Sequence, residues 1–308
     1  MYLSFITGNI LQKFSTDKKN IIYYPQNNMF DHSLFILDQK NHYYILDDHK
    51  TTYDMPNVVA LPKNYMSLYN YNLSITNNII GYSTSNIKRF HINSIIFTHS
   101  YRPHFIKKED ASILNSNLSR EIKVFFSSNT QKSWGLKGRS YFIKYGIPHT
   151  FNILNDQDNR NKDILILNFD RAMHNNQLLS ILKNNTYNCD CLDSCQTSTT
   201  DLNSILNQYK ICIDLADHNI FNLLCSIAAG CKAITLKTPM ISNDYSNTPG
   251  LYIAESPAEI IDLVSNLISN KTDIKQNSAD ISSIFSFDEF QNNITNFVDT
   301  VNQEAFIL

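Results

Sequence analysis

An acid, an imidazole and an amide stand side by side at Asp217, His218 and Asn219, just after the apolar run ICIDL and just before an apolar stretch that begins at Ile220. The run Ile211–Leu215 reads as a β-strand and Phe221–Ala229 as a helix. The three polar residues, with Ile220, Phe221 and Asn222 behind them, therefore occupy a helix start. Backbone N–H groups lacking intrahelical partners meet the positive end of the helix dipole at such a place, and a phosphate is readily bound there. Gly230 and a second strand, KAITL, complete a strand–loop–helix–strand unit, the building block of a parallel crossover sheet. Small residues at Ser226, Ala228 and Ala229 let the helix pack close to that sheet. In open α/β sheets ligands bind beyond the carboxyl ends of strands, which is where this loop falls. The chemistry on offer is recognition of a phosphorylated ligand. The plainer reading of Asp217 and His218 is an N-cap and its neighbour.

Other residues offer chemistry with less context. Gly8, followed by Asn9, comes directly after the strand-like Tyr2–Thr7, where a tight turn toward a ligand, or a turn alone, would need glycine. All six cysteines lie in the second half. Cys212, Cys225 and Cys231 read as core residues. The Cys189, Cys191, Cys195 cluster lacks a partnered CxxC or a spaced histidine pair, so reduced thiols are favoured over structural zinc and no metal is expected. Charge is divided sharply. Residues 1–150 carry 17 Lys+Arg against 9 Asp+Glu, and residues 151–308 carry 9 against 19. The basic excess falls in Asn86–Lys144, 11 against 3. Arg102, Lys107, Lys108, Lys137 and Arg139 within that block are candidates to grip a polyanion; a solvated basic face explains them equally well.

The 308 residues, 43% hydrophobic and 12% aromatic, allow one large or two ordinary domains. No apolar run reaches membrane-spanning length, and Met1–Ile10 is short and lacks the basic start of a signal peptide, so a cytoplasmic protein is expected. Strand-like and helix-like stretches alternate along both halves. Strands are expected at Asn20–Tyr24, Ser33–Leu37, His42–Leu46, Asn57–Leu61, Asn78–Tyr82, Ser94–Thr98, Lys123–Ser127 and Ser140–Lys144. The alternation restarts at Asp163–Asn168 (DILILN) and ends with Leu251–Ala254 and a helix opened by Pro257. Asn270–Ala279 reads as a linker, and Asp288–Val301 has helical spacing of Phe290, Ile294, Phe297 and Val301. Trp134 reads as packing. The Asn- and Asp-rich run Asn152–Asn161 marks a boundary, giving domains at 1–152 and 153–285 with a terminal helix in 286–308.

Together these stretches resemble the GT-B glycosyltransferases, specifically the large retaining nucleotide-sugar group (glycosyl transferase group 1, family 4-like). SIIFTHSYRPHF resembles a strand ending in a cleft-facing histidine, here His99. EIKVFFSSNTQKSWGLKGRSYFIKYGIPHTFN resembles the end of the acceptor domain. DILILNFDRAMHNNQLLSIL resembles the opening of the donor domain, with Arg171 where a phosphate-binding base is usual and His174 nearby. DLADHNIFNLLCSIAAGCKAITL resembles the block with two glutamates eight apart, and FSFDEFQNNITNFV the closing helix that returns toward the first domain. The resemblance covers most of the chain from Ser94 onward. It implies an α/β fold: two Rossmann-like βα domains facing across a cleft, with the C-terminal helix crossing back.

The resemblance also implies a function. His99, Arg171 and Asp217 would be the catalytic residues. Gly8, Asn9, Arg171, His174, Asp217, His218, Asn219, Ile220, Phe221 and Asn222 would hold the donor, a UDP-sugar foremost, with no resident cofactor. Arg171 and the helix start would stabilise the departing diphosphate, and Asp217 would accept hydrogen bonds from sugar hydroxyls. The chain departs from the pattern: Asp217 stands for the first glutamate, Cys225 replaces the second and cannot accept bidentate bonds from a ribose, and the expected glycine-arginine-plus-lysine pair is reduced to Arg171, with His174 or Asn175 nearby. Lys237 could add a second positive charge. The basic block favours a polyanionic acceptor, with hydroxymethylated phage DNA bases ahead of a surface polysaccharide or a lipid-linked glycan at an anionic membrane. A degenerate sugar-nucleotide-binding protein and another sugar-phosphate enzyme, such as an epimerase, are the competing classes.

Overall fold

A computed structural model describes residues 20–24, 41–46, 56–61, 71, 73–76, 93–98, 110, 118, 121–135, 139–155, 159–167, 175–192, 199–215, 220–239, 241–269 and 274–305. Two parallel sheets organise them. The first comprises β1 (Asn20–Tyr24), β2 (His42–Leu46), β3 (Val58–Leu61), β4 (Leu73–Thr76), β5 (Asn93–Thr98), β6 (Ile122–Phe125) and β7 (Ser140–Phe142), in the spatial order β3-β2-β1-β4-β5-β6-β7. That is the doubly wound dinucleotide-fold order with one further strand. The second comprises β8 (Lys162–Leu167), β9 (Cys189–Leu192), β10 (Tyr209–Asp214), β11 (Lys232–Leu236) and β12 (Leu251–Ala254), in the order β12-β11-β10-β8-β9. The central strands are short apolar runs buried on both faces, as parallel sheets demand, while the outer strands β3, β7 and β9 are partly exposed. Ile21, Ile22 and Tyr23 are fully buried, and so are Ile211, Cys212 and Ile213.

Helices follow the described strands β6, β8, β9, β10 and β12. They are α1 (Ser128–Trp134), α2 (Asn175–Asn184), α3 (Thr199–Leu206), α4 (Ile220–Ala228), α5 (Pro257–Ser269), α6 (Ile274–Ile284) and α7 (Phe287–Ala305). The start of α1 is fixed by Ser127, whose hydroxyl accepts from Thr130 N at 3.1 Å, and its end by Gly135 in the left-handed region at φ 57°. Trp134 is buried at its last turn.

One apolar cluster joins the two sheets. The Phe126 and Tyr145 rings stack at 4.4 Å, Tyr145 meets Phe221 of α4 at 5.3 Å, and Phe290 of α7 stands 6.5 Å from Phe126. Each such side chain contributes about 1.5–3 kcal/mol by leaving water. α7 thus returns to the first sheet and continues along it, with Phe297 against Tyr141 of β7 at 4.9 Å. Gly146 makes the crossing possible, because a Cβ there would lie 2.3 Å from Phe290 Cβ. Alongside, Ile147 N donates to Phe285 O at 2.9 Å.

Two expectations need correction. The polar stretch expected as a linker at Asn270–Ala279 contains the start of α6. Its apolar contacts are few but well spaced: Ile274 and Ile281, seven apart, are buried, and Ser278 Oγ donates to Ala228 O at 2.7 Å. The strand β4 at Leu73–Thr76 was not anticipated. The strands expected at Tyr2–Thr7, Ser33–Leu37 and Asn78–Tyr82 lie outside the described residues.

Candidate functional site

The connectivity of the second sheet reverses between β8 and β10: the chain runs outward from β8 to β9, then restarts on the other side. Such a switch point opens a crevice beyond the carboxyl ends of the two strands, because their crossovers leave on opposite faces. β8 ends at Leu167 and is followed by the segment containing Arg171 and His174. β10 ends at Asp214 and is followed by the segment containing Asp217, His218 and Asn219. Asp214 is completely buried and takes a hydrogen bond from Asn222 Nδ2 of α4 at 3.3 Å. The last residue of the strand thereby grips the first turn of the helix on the far side of the loop, holding both ends of 216–219 together.

The carboxyl edges of the two sheets face each other. Ser127 and Asn129, just beyond β6, both donate to Asp244, in the one-turn π-helical segment Ile241–Tyr245 beyond β11; the Asn129 bond is 2.6 Å. Tyr245 OH donates to Phe126 O at 3.1 Å. Tyr145, beyond β7, packs on Phe221 at the start of α4. At the carboxyl end of β5, Thr98 is 3% exposed and its hydroxyl has no hydrogen-bond partner among the described residues. It directly precedes His99.

Of the anticipated site residues, four are described. Ile220, Phe221 and Asn222 are buried, so only their backbone could meet a ligand at the helix start; Arg139 is half-buried at the entrance to β7. Gly8, Asn9, His99, Arg102, Lys107, Lys108, Lys137, Arg171, His174, Asp217, His218 and Asn219 lie outside the described residues. Cys225 is fully buried, and burial pushes its thiol well above the ordinary range, so it presents an uncharged group to the core. Cys231 is raised in the same way to about 11, as is Cys189. Lys237 pairs with Glu255 at 2.5 Å, which offsets the free positive charge expected of it. Among the described residues no His/Cys/Asp/Glu group could hold a metal ion, and no helix is long and apolar enough to cross a membrane.

The residue that most firmly positions α4 was not singled out from the sequence. Arg160 is 2% exposed and donates to Tyr209 O at 2.7 Å, Ala229 O at 2.6 Å and Leu206 O at 3.3 Å, with Asn207 Oδ1 also at 3.3 Å. It caps the carboxyl ends of α3 and α4 at once. Gly230, in the left-handed region at φ +87°, leaves the space, since a Cβ there would stand 2.6 Å from the guanidinium. A single arginine in an Asn-rich run carries no pattern that would mark it.

No protein-family model matches the sequence, and no curated protein matches it. Solved structures do match in fold. Sucrose-phosphate synthase from Thermosynechococcus elongatus superimposes with TM-score 0.65 at 8% identity, over 92% of this chain and 99% of that one. HepE from Anabaena, in complex with UDP and glucose, gives 0.68 at 10% identity over 92% and 100%. AviGT4, a glycosyltransferase involved in avilamycin A biosynthesis, gives 0.58 at 7% over 93% and 98%. Two parallel sheets with carboxyl edges opposed, and a terminal helix crossing back, place this chain in the GT-B fold.

Proposed function

We propose that the chain is a glycosyltransferase that moves a sugar from a nucleotide-diphosphate sugar, a UDP-sugar foremost, to an acceptor hydroxyl, with retention and without a metal. The observation that carries this reading is the β8/β10 switch point, opening toward the other sheet's carboxyl edge in a fold shared with a UDP- and glucose-bound neighbour. Cleaving the sugar–phosphate bond leaves negative charge on the diphosphate. Arg171 after β8 and the amides at the start of α4 are the groups this chain would supply to stabilise it, an electrostatic effect that dominates many such reactions. The leaving phosphate itself would assist the acceptor hydroxyl, so no pair of catalytic carboxylates is required. His99, next to Thr98 at the end of β5, would face the transferred sugar.

The acceptor reading rests on charge. The basic excess in Asn86–Lys144 suits a polyanion, and hydroxymethylated DNA bases in a phage-infected cytoplasm lead, ahead of a lipid-linked or surface glycan. Duplex DNA binding that falls steeply across a salt series in a gel shift would support the first; binding confined to anionic vesicles would replace it. A second reading, a sugar-nucleotide-binding protein without turnover, is favoured by the buried Cys225, which leaves the ribose without the family's second carboxylate. Melting-temperature shifts across UDP, GDP, ADP and their sugars identify the ligand. Hydrolysis of the best ligand without acceptor separates enzyme from binder. No shift with any of them refutes the proposal.

A further inference from the structure

The bond set around Asp244 serves no step of the donor chemistry, yet it ties one sheet's carboxyl edge to the other's. One carboxylate oxygen takes the Ser127 hydroxyl and the other takes the Asn129 amide at 2.6 Å. The donors stand on a braced turn: Ser127 caps α1 through Thr130 N at 3.1 Å, and Gln131 N donates to Ser127 O at 3.2 Å. A hydrogen bond to a charged acceptor is roughly twice as strong as a neutral one, and two of them fix direction as well as distance. Next in the chain, Tyr245 donates to the Phe126 carbonyl at 3.1 Å, and its own hydroxyl is pushed above its usual range by burial. Two adjacent attachments resist rotation of one sheet against the other, where one would act as a pivot.

The position of this bridge is as informative as its strength. It joins β6, beside the edge strand β7, to the segment after β11, beside the edge strand β12. The β8/β10 switch point lies on the other side of β10, with β8 and β9 forming the remaining flank. We propose that Asp244 is a positioning residue that pins the second domain to the first turn of α1 and closes the groove along its β6–β11 flank. The pin is a property of the chain without ligand, so its test is independent of the glycosyltransferase reading.

The experiment compares the full chain with Asp244→Ala and with the exchanged pair Asp244→Asn plus Asn129→Asp, which re-forms the amide–carboxylate bond with its polarity reversed. Small-angle scattering and amide hydrogen exchange are read on all three. Asp244→Ala is expected to raise the radius of gyration and to speed exchange at Thr130 and Gln131 about tenfold, the size expected for losing a hydrogen bond to a charged group. Core strands β8 and β10 should keep their protection, and the exchanged pair should return both readouts toward the parent. An unchanged radius with unchanged exchange at α1 overturns the proposal. So does a loss of protection spread through β8 and β10, which would make Asp244 a plain stability residue.

Discussion

The amino and carboxyl edges of the two sheets use their polar residues in opposite ways. At the amino edge, cations are turned inward. Lys123 Nζ donates to Leu118 O at 2.7 Å, Lys232 Nζ to Leu267 O, and Arg160 to the ends of α3 and α4. Lys162 of β8 meets Asp190 at 2.8 Å and Tyr209 OH at 3.0 Å. The hydrogen bonds to Lys162 and Tyr209 hold Asp190 below the usual carboxylate range. These groups bond carbonyls and side chains near the strand starts within their own domain. At the carboxyl edge, Asp244 reaches across to the other domain. The lesson is that charge at one edge holds the sheet together and at the other sets the shape of the groove. A substitution should therefore cost stability on one side and change binding or geometry on the other.

The largest expected effect is at the amino edge. Arg160→Ala removes a guanidinium that serves four buried oxygens, of which Asn207 Oδ1 keeps the Leu154 and Asn155 N–H groups while the carbonyls lose their charged donor. A loss of about 4 kcal/mol in urea unfolding is expected; a change under about 1 kcal/mol would show that water replaces the arginine and would erase the contrast between the edges. Next comes Gly146→Ala, where the added methyl meets Phe290 of α7. Overpacking there should cost about 1–3 kcal/mol, and limited proteolysis should find α7 released before the second sheet is cut. Release of both together would mean that α7 belongs energetically to the second domain alone.

The smallest effect is a pH signature. Burial holds Lys232 below the ordinary lysine value of 10.5, so between the two values the unfolded chain binds more protons than the folded one. Stability then rises as pH climbs through that window and is lower beneath it. Lys232→Met should stay within about 1 kcal/mol of the parent at neutral pH, and the stability difference, parent minus variant, should rise with pH through that window, against the alkaline fall that the raised Cys189, Cys225 and Cys231 thiols contribute to both chains. A parent–variant difference in thermal melts that stays flat across that window would show that Lys232 is solvated in solution.

Much of the architecture could be read from the chain because parallel strands are buried on both faces and so spell continuous apolar runs. ICIDL, KAITL and DILILN fall on β10, β11 and β8, and LYIA matches β12 residue for residue. α6 was hidden because two isoleucines one heptad apart carry its burial while most of its other positions are polar. Arg160 was hidden because its partners are backbone carbonyls, which leave no trace in side-chain type. The interdomain bridge was equally silent, since Asp244, Ser127 and Asn129 are more than a hundred residues apart in sequence. The helix start after β10 was legible because strand, polar knot and helix follow one another within a dozen residues. Its burial of Ile220, Phe221 and Asn222 was not, because apolar spacing shows which face packs, not how deeply.

The central claim is that the crevice between β8 and β10 binds a nucleotide diphosphate. Calorimetric titration of UDP into the parent chain and into Arg171→Ala tests it most directly, with melting temperature recorded for both. The account predicts saturable binding to the parent, at least about tenfold weaker binding to the variant, and matching melting temperatures. Equal affinity for the two chains, or no heat with UDP, GDP or ADP, would contradict it.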